Sequence, residues 1–485
     1  MPRMRRQPID HVANVIAIVT FVLVVIRALR TVDTNWDTLQ YHWAYAARAA
    51  GLCDSSCFVM DYGTEQRYLA FPMLFHTMYG VLWRIFGTPA AGHAATIAVV
   101  VALIVYLWRR FAVPLAWSWL ALLAIPLVQI HLSTSYVDLA ANAALTLGIF
   151  ALLRICVARD PSMRLDIAVG WIALTMAAGA KLLLIAPAAL VWMVLVIVVA
   201  RRRWQRERRV PWAMAIGLAA LGAVSILPQF ALNIWHFHNP FYPVEMRIAG
   251  IHLPGTESLK VIQHTMSVSA KWTDSPSWVR WVASVFEFDA FRGRDMPWTA
   301  DQGDVPQSSP SFRMGGYFCI YVLGLLAILL ARARSRESRP MLVALAVATV
   351  ACALLPNSHE LRYYLFWMLL LVGAVLVLAF SPSLASGLQR ETAGMTRALV
   401  LLSLTGVILM TGAHYLMTKG ITIEDLVTPT NAIVDALPPG ATLCVAHTNR
   451  SAILYAQMFH PGHSIHVRSI DGERAPNCDK VIDPP

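Results

Sequence analysis

Apolar runs of about 17–21 residues, set apart by short basic loops, recur along this chain of 485 residues, and a bilayer-crossing helix needs roughly 20 apolar residues. Backbone groups in lipid must bond internally, and runs this long without alternation meet that demand as helices. The chain is 57% hydrophobic and 14% charged, so a soluble fold is excluded. The expected class is an all-α polytopic membrane protein with about eleven transmembrane helices. They are placed at roughly 11–30, 92–108, 112–130, 136–153, 166–180, 182–200, 212–232, 315–331, 340–356, 363–380 and 398–417.

The net charge of +11 suggests a polyanion only until its distribution is read. Arg3, Arg5 and Arg6, Arg109 and Arg110, Arg154, Arg159 and Arg164, the run Arg201 to Arg209, Arg332 to Arg339, and Arg390 with Arg397 all fall in short loops. Cytoplasmic loops carry such clusters. The count puts every cluster on one side, the N-terminus in the cytoplasm and the C-terminus outside, and gives no role to nucleic acid. The first run has no small-residue cleavage site and reads as a retained helix. Residues 71–86 would reverse this topology if they crossed. They contain His76 and Arg84, with Pro72 near their start, and they read as a helix lying at the outer interface.

The transmembrane part is expected over residues 1–417, with two extracytoplasmic loops, 31–91 and 233–314. Residues 418–485 are expected to form a small extracytoplasmic α/β unit. Its pattern suggests a helix at Glu424 to Leu437, a strand at Ala441 to His447, a helix at Ser451 to Met458 and a strand at Ser464 to Ile470, with Pro438-Pro439-Gly440 as a turn. Cys53 with Cys57, and Cys444 with Cys478, fall in the segments expected outside, where disulfides are allowed.

Ionisable residues at helix ends on the side without surplus Lys and Arg need a reason to be there. Asp37 follows the first span within Asp33-Thr34-Asn35-Trp36-Asp37, with Tyr41 and His42 next; it suits a general base or a helix cap, the plainer reading of Asp33. Asp138 in Tyr136-Val137-Asp138-Leu139 is a second acid or a partner of the helix dipole, and Asn142 lies one turn on. Lys181, in Gly179-Ala180-Lys181 between two apolar runs, suits a phosphate or snorkels to the interface. In His359-Glu360-Leu361-Arg362-Tyr363, Arg362 suits a bidentate phosphate contact oriented by Glu360, or an ion pair closing a turn. Asn239-Pro240-Phe241-Tyr242-Pro243 is expected to shape a cavity wall, where its prolines stiffen the chain. His236 and His238 would share one face if that stretch were extended, a weak metal candidate.

In order and spacing these motifs resemble the GT-C superfamily of membrane glycosyltransferases, which use polyprenyl-phosphate carriers. The nearest likeness is to the protein O-mannosyltransferase and lipid A aminoarabinose transferase group, over roughly residues 11–380. The resemblance implies that Asp37 is the catalytic base, Asp138 a second functional acid, and Lys181 and Arg362 donor-phosphate ligands. Related members carry a basic residue before the proline of the interfacial helix. Here that stretch is Leu69-Ala70-Phe71-Pro72, and Arg67 is the substitute. Tyr41, His42, Asn239, Tyr242, His359, Glu360 and Tyr363 then line the cavity.

The implied activity moves a sugar from a polyprenyl-phosphate donor to an acceptor hydroxyl of a glycan, lipid or protein. It would act at the outer face of a bacterial inner membrane, with inversion at the anomeric carbon, for cell-envelope modification. The scheme needs no cofactor and no metal ion. The rival readings are a lipid-linked-sugar transporter or flippase, whose sites sit near the midplane between repeats, and a polyprenyl-diphosphate-dependent ligase.

Overall fold

The structure is a computed structural model. It describes residues 8–157, 163–208, 211–248, 250–258, 274–286, 316–331, 338–355, 357, 360–380, 400–409, 420–446, 451–470 and 477–482. Among the described residues five helical stretches are long and apolar enough to cross a membrane: Pro8–Arg30, Pro89–Phe111, Asp138–Val157, Leu182–Glu207 and Leu361–Phe380. Shorter apolar helices accompany them, among them Arg164–Ala180, Ser338–Leu354 and Val400–Leu409.

Two expected spans are broken, and proline breaks both. Residues 112–130 divide into Leu115–Leu123 and Pro126–His131, with Ile125 extended before the proline. Residues 212–232 divide into Trp212–Ile226 and Pro228–Phe237, bent by 54°. A proline lacks the N–H that would continue the ladder and crowds the residue before it. The segment expected to lie at the interface contains the helix Leu74–Phe86, 13 residues, too short to cross at 1.5 Å per residue. It buries Phe75, His76, Tyr79, Gly80 and Trp83 and leaves Leu74, Val81, Ile85 and Phe86 exposed.

The centre of the bundle is Asp138–Val157, which packs against Arg164–Ala180, His93–Phe111, Ile185–Glu207 and Leu365–Phe380. At one end of these helices Arg110 grips Asp166 with two hydrogen bonds, of 2.8 and 2.6 Å. There too Arg202 Nη2 donates to the Cys156 carbonyl at 2.8 Å. Asp138 opens the helix that Cys156 helps to end, so the two ends stand about 27 Å apart at 1.5 Å per residue. That is close to the roughly 30 Å of a hydrocarbon core.

Beyond the Asp138 end lies a four-stranded parallel sheet in the order β1-β6-β5-β7. Strands β5 (Thr442–Ala446), β6 (His466–Ile470) and β7 (Lys480–Ile482) come from the C-terminal segment. Strand β1 (Phe58–Val59) comes from the first loop. A capping box at Thr422 and Asp425 starts the accompanying helix Ile423–Val434. The helix expected at Ser451 to Met458 is instead one short 3₁₀ turn, Ala452–Tyr455. Its next residue, Ala456, is already extended, and a single turn is too short to sustain a helix of its own. A second, three-stranded sheet, β3-β2-β4, is built from Val244–Ile248 (β2), Ile251–Leu253 (β3) and Glu257–Ser258 (β4).

Candidate functional site

Each of the four charged residues singled out in the sequence sits where a helix begins or ends. Asp37 lies between Pro8–Arg30 and the Thr38–His42 turn. Asp138 opens its helix. Lys181 has extended backbone (φ −149°, ψ 126°) that separates Arg164–Ala180 from Leu182–Leu184. Arg362 lies in the single 3₁₀ turn Leu361–Tyr364 before the next helix.

Packing joins them into two ion pairs. Lys181 Nζ donates to Asp138 Oδ1, and Arg362 Nη1 donates to Asp37 Oδ2 at 3.1 Å. Glu360 Oε2 stands 3.8 Å from Arg362 Nε. Aromatic rings tie the pairs together: Lys181 Nζ lies 4.0 Å from the Tyr363 ring centre, and the Arg362 guanidinium 5.0 Å from both Tyr136 and Tyr363. Such cation–π contacts suit partly desolvated cations. Asp138 and Glu360 are buried, at 2% and 3% exposure, while Asp37, Lys181 and Arg362 keep partial access, at 20%, 18% and 12% of the side chain.

The supporting contacts are as specific. Asn142 donates to the carbonyls of Asp138 and Arg362, at 2.8 and 3.2 Å. Its Oδ1 accepts from the Phe366 N–H at 2.9 Å. One side chain therefore clamps the Asp138 helix to the Arg362 turn. Asp33 Oδ2 accepts from the Ser135 N–H at 2.8 Å, and Trp43 Nε1 donates to Ser135 Oγ at 2.9 Å. These bonds fasten the Asp37 segment to the loop before Asp138. Burial raises the Asp33 carboxyl to about 6 and lowers the His42 imidazole to about 3. Desolvation and the neighbouring Asp37 push the partly buried Tyr41 well above the usual phenol range.

Other expected residues stand elsewhere or serve otherwise. The Arg67 guanidinium is paired with Glu257, Nε to Oε1 at 2.8 Å, within electrostatic reach of Tyr41 and Tyr45. Nothing in the sequence marks Glu257 as its partner. Asn239 donates to the Val244 and Pro254 carbonyls, both at 2.8 Å, and accepts from the Phe241 N–H; its side chain organises its own loop. Tyr242 stacks on Phe237, ring centres 3.9 Å apart. His359 lies outside the described residues. His236 belongs to the helix Pro228–Phe237, and His238 caps it, so the two do not share a face of an extended segment. Among the described residues no group of three or more His, Cys, Asp or Glu is placed to hold a metal ion. Both candidate cysteine pairs, Cys53–Cys57 and Cys444–Cys478, form disulfides.

This arrangement of helices, several of them long and apolar enough to cross a membrane, with charged residues gathered at one end beneath a small sheet, is a fold shared with a protein of known structure. The chain is similar to the crystal structure of ArnT from Cupriavidus metallidurans in the apo state, with 14% sequence identity and a TM-score of 0.55 over 93% of this chain and 88% of that one. It is also similar to ArnT from the same organism bound to undecaprenyl phosphate, with 14% identity and a TM-score of 0.56 over 96% and 86% of the two chains. The likeness is one of fold, and it bears out the resemblance that the motifs suggest. No family model matches the chain, and no curated protein matches it.

Proposed function

We propose that the protein is a membrane glycosyltransferase that moves a hexose or pentose from a polyprenyl-phosphate donor to an acceptor hydroxyl. The acceptor would be a glycan, lipid or protein of the cell envelope. The observation that carries this reading is the meeting of Asp37, Asp138, Lys181 and Arg362 in two ion pairs whose cations share the Tyr363 ring. Two cations and two acids in one place match a reaction that needs a phosphate held and a proton removed. The fold shared with a protein solved with undecaprenyl phosphate supports the donor class.

In the absence of donor each cation is neutralised by a carboxylate. A donor phosphate competes for both, because its oxygens accept charge-assisted bonds as a carboxylate does. When Arg362 turns to the phosphate, Asp37 is released to take the acceptor proton. The acceptor oxygen attacks the anomeric carbon from the face opposite the phosphate. The anomeric C–O bond breaks, and the polyprenyl phosphate leaves with the bonding pair. Configuration inverts. Lys181 and Arg362 stabilise the charge that grows on the leaving phosphate, an effect typically worth about 3 kcal/mol per group.

Orientation follows from the two ends of the bundle. The end with Arg110, Arg154 and Arg202 is basic, as cytoplasmic ends are, and the site lies at the other. The reading therefore puts the reaction at the outer face of a bacterial inner membrane, with the N-terminus in the cytoplasm and the C-terminus outside. The test is purified full-length protein incubated with a panel of polyprenyl-phosphate sugars, with sugar release and transfer measured beside Asp37→Asn. Loss of turnover in the variant with retained polyprenyl-phosphate binding supports a transferase. Wild-type protein that binds donors yet neither releases nor transfers sugar would falsify the reading and favour a carrier of lipid-linked sugars.

A further inference from the structure

Leu361–Tyr364 is a 3₁₀ turn, and the α-helix Leu365–Phe380 starts where it stops. In an unbroken α-helix the Phe366 N–H would bond to the Arg362 carbonyl, four residues back. Here both groups go to one side chain of another helix. Asn142 Nδ2 donates to the Arg362 carbonyl at 3.2 Å, and Asn142 Oδ1 accepts from the Phe366 N–H at 2.9 Å. Nδ2 also donates to the Asp138 carbonyl at 2.8 Å. Two carbonyls on one side and an N–H on the other fix which way the amide faces. Asn142 is 0% exposed, so these bonds are made away from solvent.

The same two helices are locked together further along. A Cβ on Gly373 would meet the Phe150 ring at 2.5 Å, so only glycine lets the helix backbone rest on that ring. Phe150 and Gly373 lie about two turns beyond Asn142 and Phe366. The packing of Leu365–Phe380 on Asp138–Val157 therefore sets where the Asn142 amide stands. The turn that carries Arg362 takes its form from that amide.

We propose that Asn142 is a positioning residue for Arg362: its amide stands in for a helical hydrogen bond, keeps Leu361–Tyr364 a 3₁₀ turn, and so aims the guanidinium at Asp37 and at the donor phosphate. Without the amide, the Arg362 carbonyl and the Phe366 N–H must find other partners, and the nearest are each other. Closing that bond winds the turn into the helix. Arg362, three residues before Leu365, then swings by roughly 60° about the axis, because a 3₁₀ turn has three residues and an α-turn 3.6. A rotation of that size breaks the 3.1 Å bond to Asp37. The aim at the phosphate rests on the glycosyl-transfer reading above; the aim at Asp37 does not.

The experiment uses the full-length protein in detergent, with undecaprenyl phosphate as the probe. Asn142→Leu is similar in shape and removes all three bonds. Asn142→Ser is the milder variant: its hydroxyl bonds back to the Asp138 carbonyl within its own helix, and only the bonds to the Arg362 turn go. Arg362→Ala is expected to weaken binding roughly 10- to 100-fold, the usual worth of a hydrogen bond to a charged group. Each Asn142 variant is expected to lose a similar factor, and to lose nothing more in the Arg362→Ala background, because a residue that acts through another is not additive with it. Losses that multiply in the double variants show an independent structural role and overturn the proposal. Wild-type protein that fails to bind undecaprenyl phosphate overturns the donor reading instead.

A second measurement needs no donor. In ¹⁵N-arginine NMR of the ligand-free protein, the Arg362 signal is identified by its absence in Arg362→Lys, and it reports the ion pair with Asp37. Asn142→Ser is expected to move that signal to where Asp37→Asn puts it. A signal that stays at its wild-type position overturns the proposal, whatever the binding assay shows.

Discussion

Asp37 and Arg362 stand 325 positions apart in the chain and 3.1 Å apart in space. A lone charge at the end of an apolar run is conspicuous, because a charged side chain at membrane depth costs about 2.5–3.5 kcal/mol on insertion scales. That is why all four charged residues of the site are legible in the sequence. Their pairing is not, since which acid meets which cation depends on how the helices pack. The Asn142 clamp is hidden for the same reason. The role of Asn239 differs from the expected one because a side chain that satisfies its own loop looks no different in sequence from one that faces a cavity. Asp37→Asn is expected to lower kcat by about 10²–10⁴-fold, the usual contribution of a general base, with little change in polyprenyl-phosphate binding by a direct binding assay. Arg362→Lys keeps the charge and loses the fork; its kcat/KM is expected to fall about 100-fold. Asp33 gives a pH effect of known sign. Its carboxyl titrates at about 6 in the fold against 3.8 ordinarily, so the folded state favours the protonated form. That contribution is full below pH 3.8 and is lost as the pH rises through about 6. It is worth a few kcal/mol, since each tenfold change in proton affinity corresponds to about 1.4 kcal/mol. Asp33→Asn keeps an acceptor for the Ser135 N–H and removes the titration. Its midpoint of thermal unfolding should fall less steeply than wild type between about pH 4 and about pH 7.

At the scale of elements, hydropathy locates apolar segments and is blind to where they break. The runs at 112–130 and 212–232 are apolar throughout, yet Pro126 and Pro228 divide each into two helices. The physical cue is present, but a window average of roughly 19 residues passes over a single proline. That Leu74–Phe86 is not a full span is legible because charge placement argues against a crossing. Its close contact with Trp43–Ala49 is not, since a glycine in an apolar helix looks unremarkable until another backbone rests on it. Gly80→Ala puts a methyl group against the Ala46 carbonyl. Overpacking of this kind costs roughly 1–3 kcal/mol, and here the backbone oxygen has little freedom to yield. The variant should unfold at a lower temperature in detergent.

In the whole molecule the sheet and the Asp37 segment form one packed unit. Strand β1 comes from the first loop and pairs with β6. Val32, just after the first helix, bridges to Ile421. Trp43 and Trp83 pack against Phe459, and His466 Nδ1 pairs with the Ser56 carbonyl at 2.9 Å. Two strands of the C-terminal segment, β5 and β6, and the Pro-Pro-Gly turn are legible in the sequence, while the three-residue β7 is not. The strand lent by the first loop is not, because two residues carry no periodic signal. The Asp37 segment is thus held from below by helices and from above by the sheet, and weakening the sheet should reach the site. Cys444–Cys478 closes a separation of 34 residues and Cys53–Cys57 one of 4. On the chain-entropy model these restrain the unfolded chain by about 4 and about 2 kcal/mol respectively. Cys444→Ser with Cys478→Ser should therefore lower the unfolding temperature more than Cys53→Ser with Cys57→Ser. Because β5 and β7 no longer stay joined, the first double variant should also lose sugar transfer at temperatures where its helices remain folded by circular dichroism. Transfer that survives up to the temperature at which the helices melt would show that the sheet does not support Asp37, and that the two parts work independently.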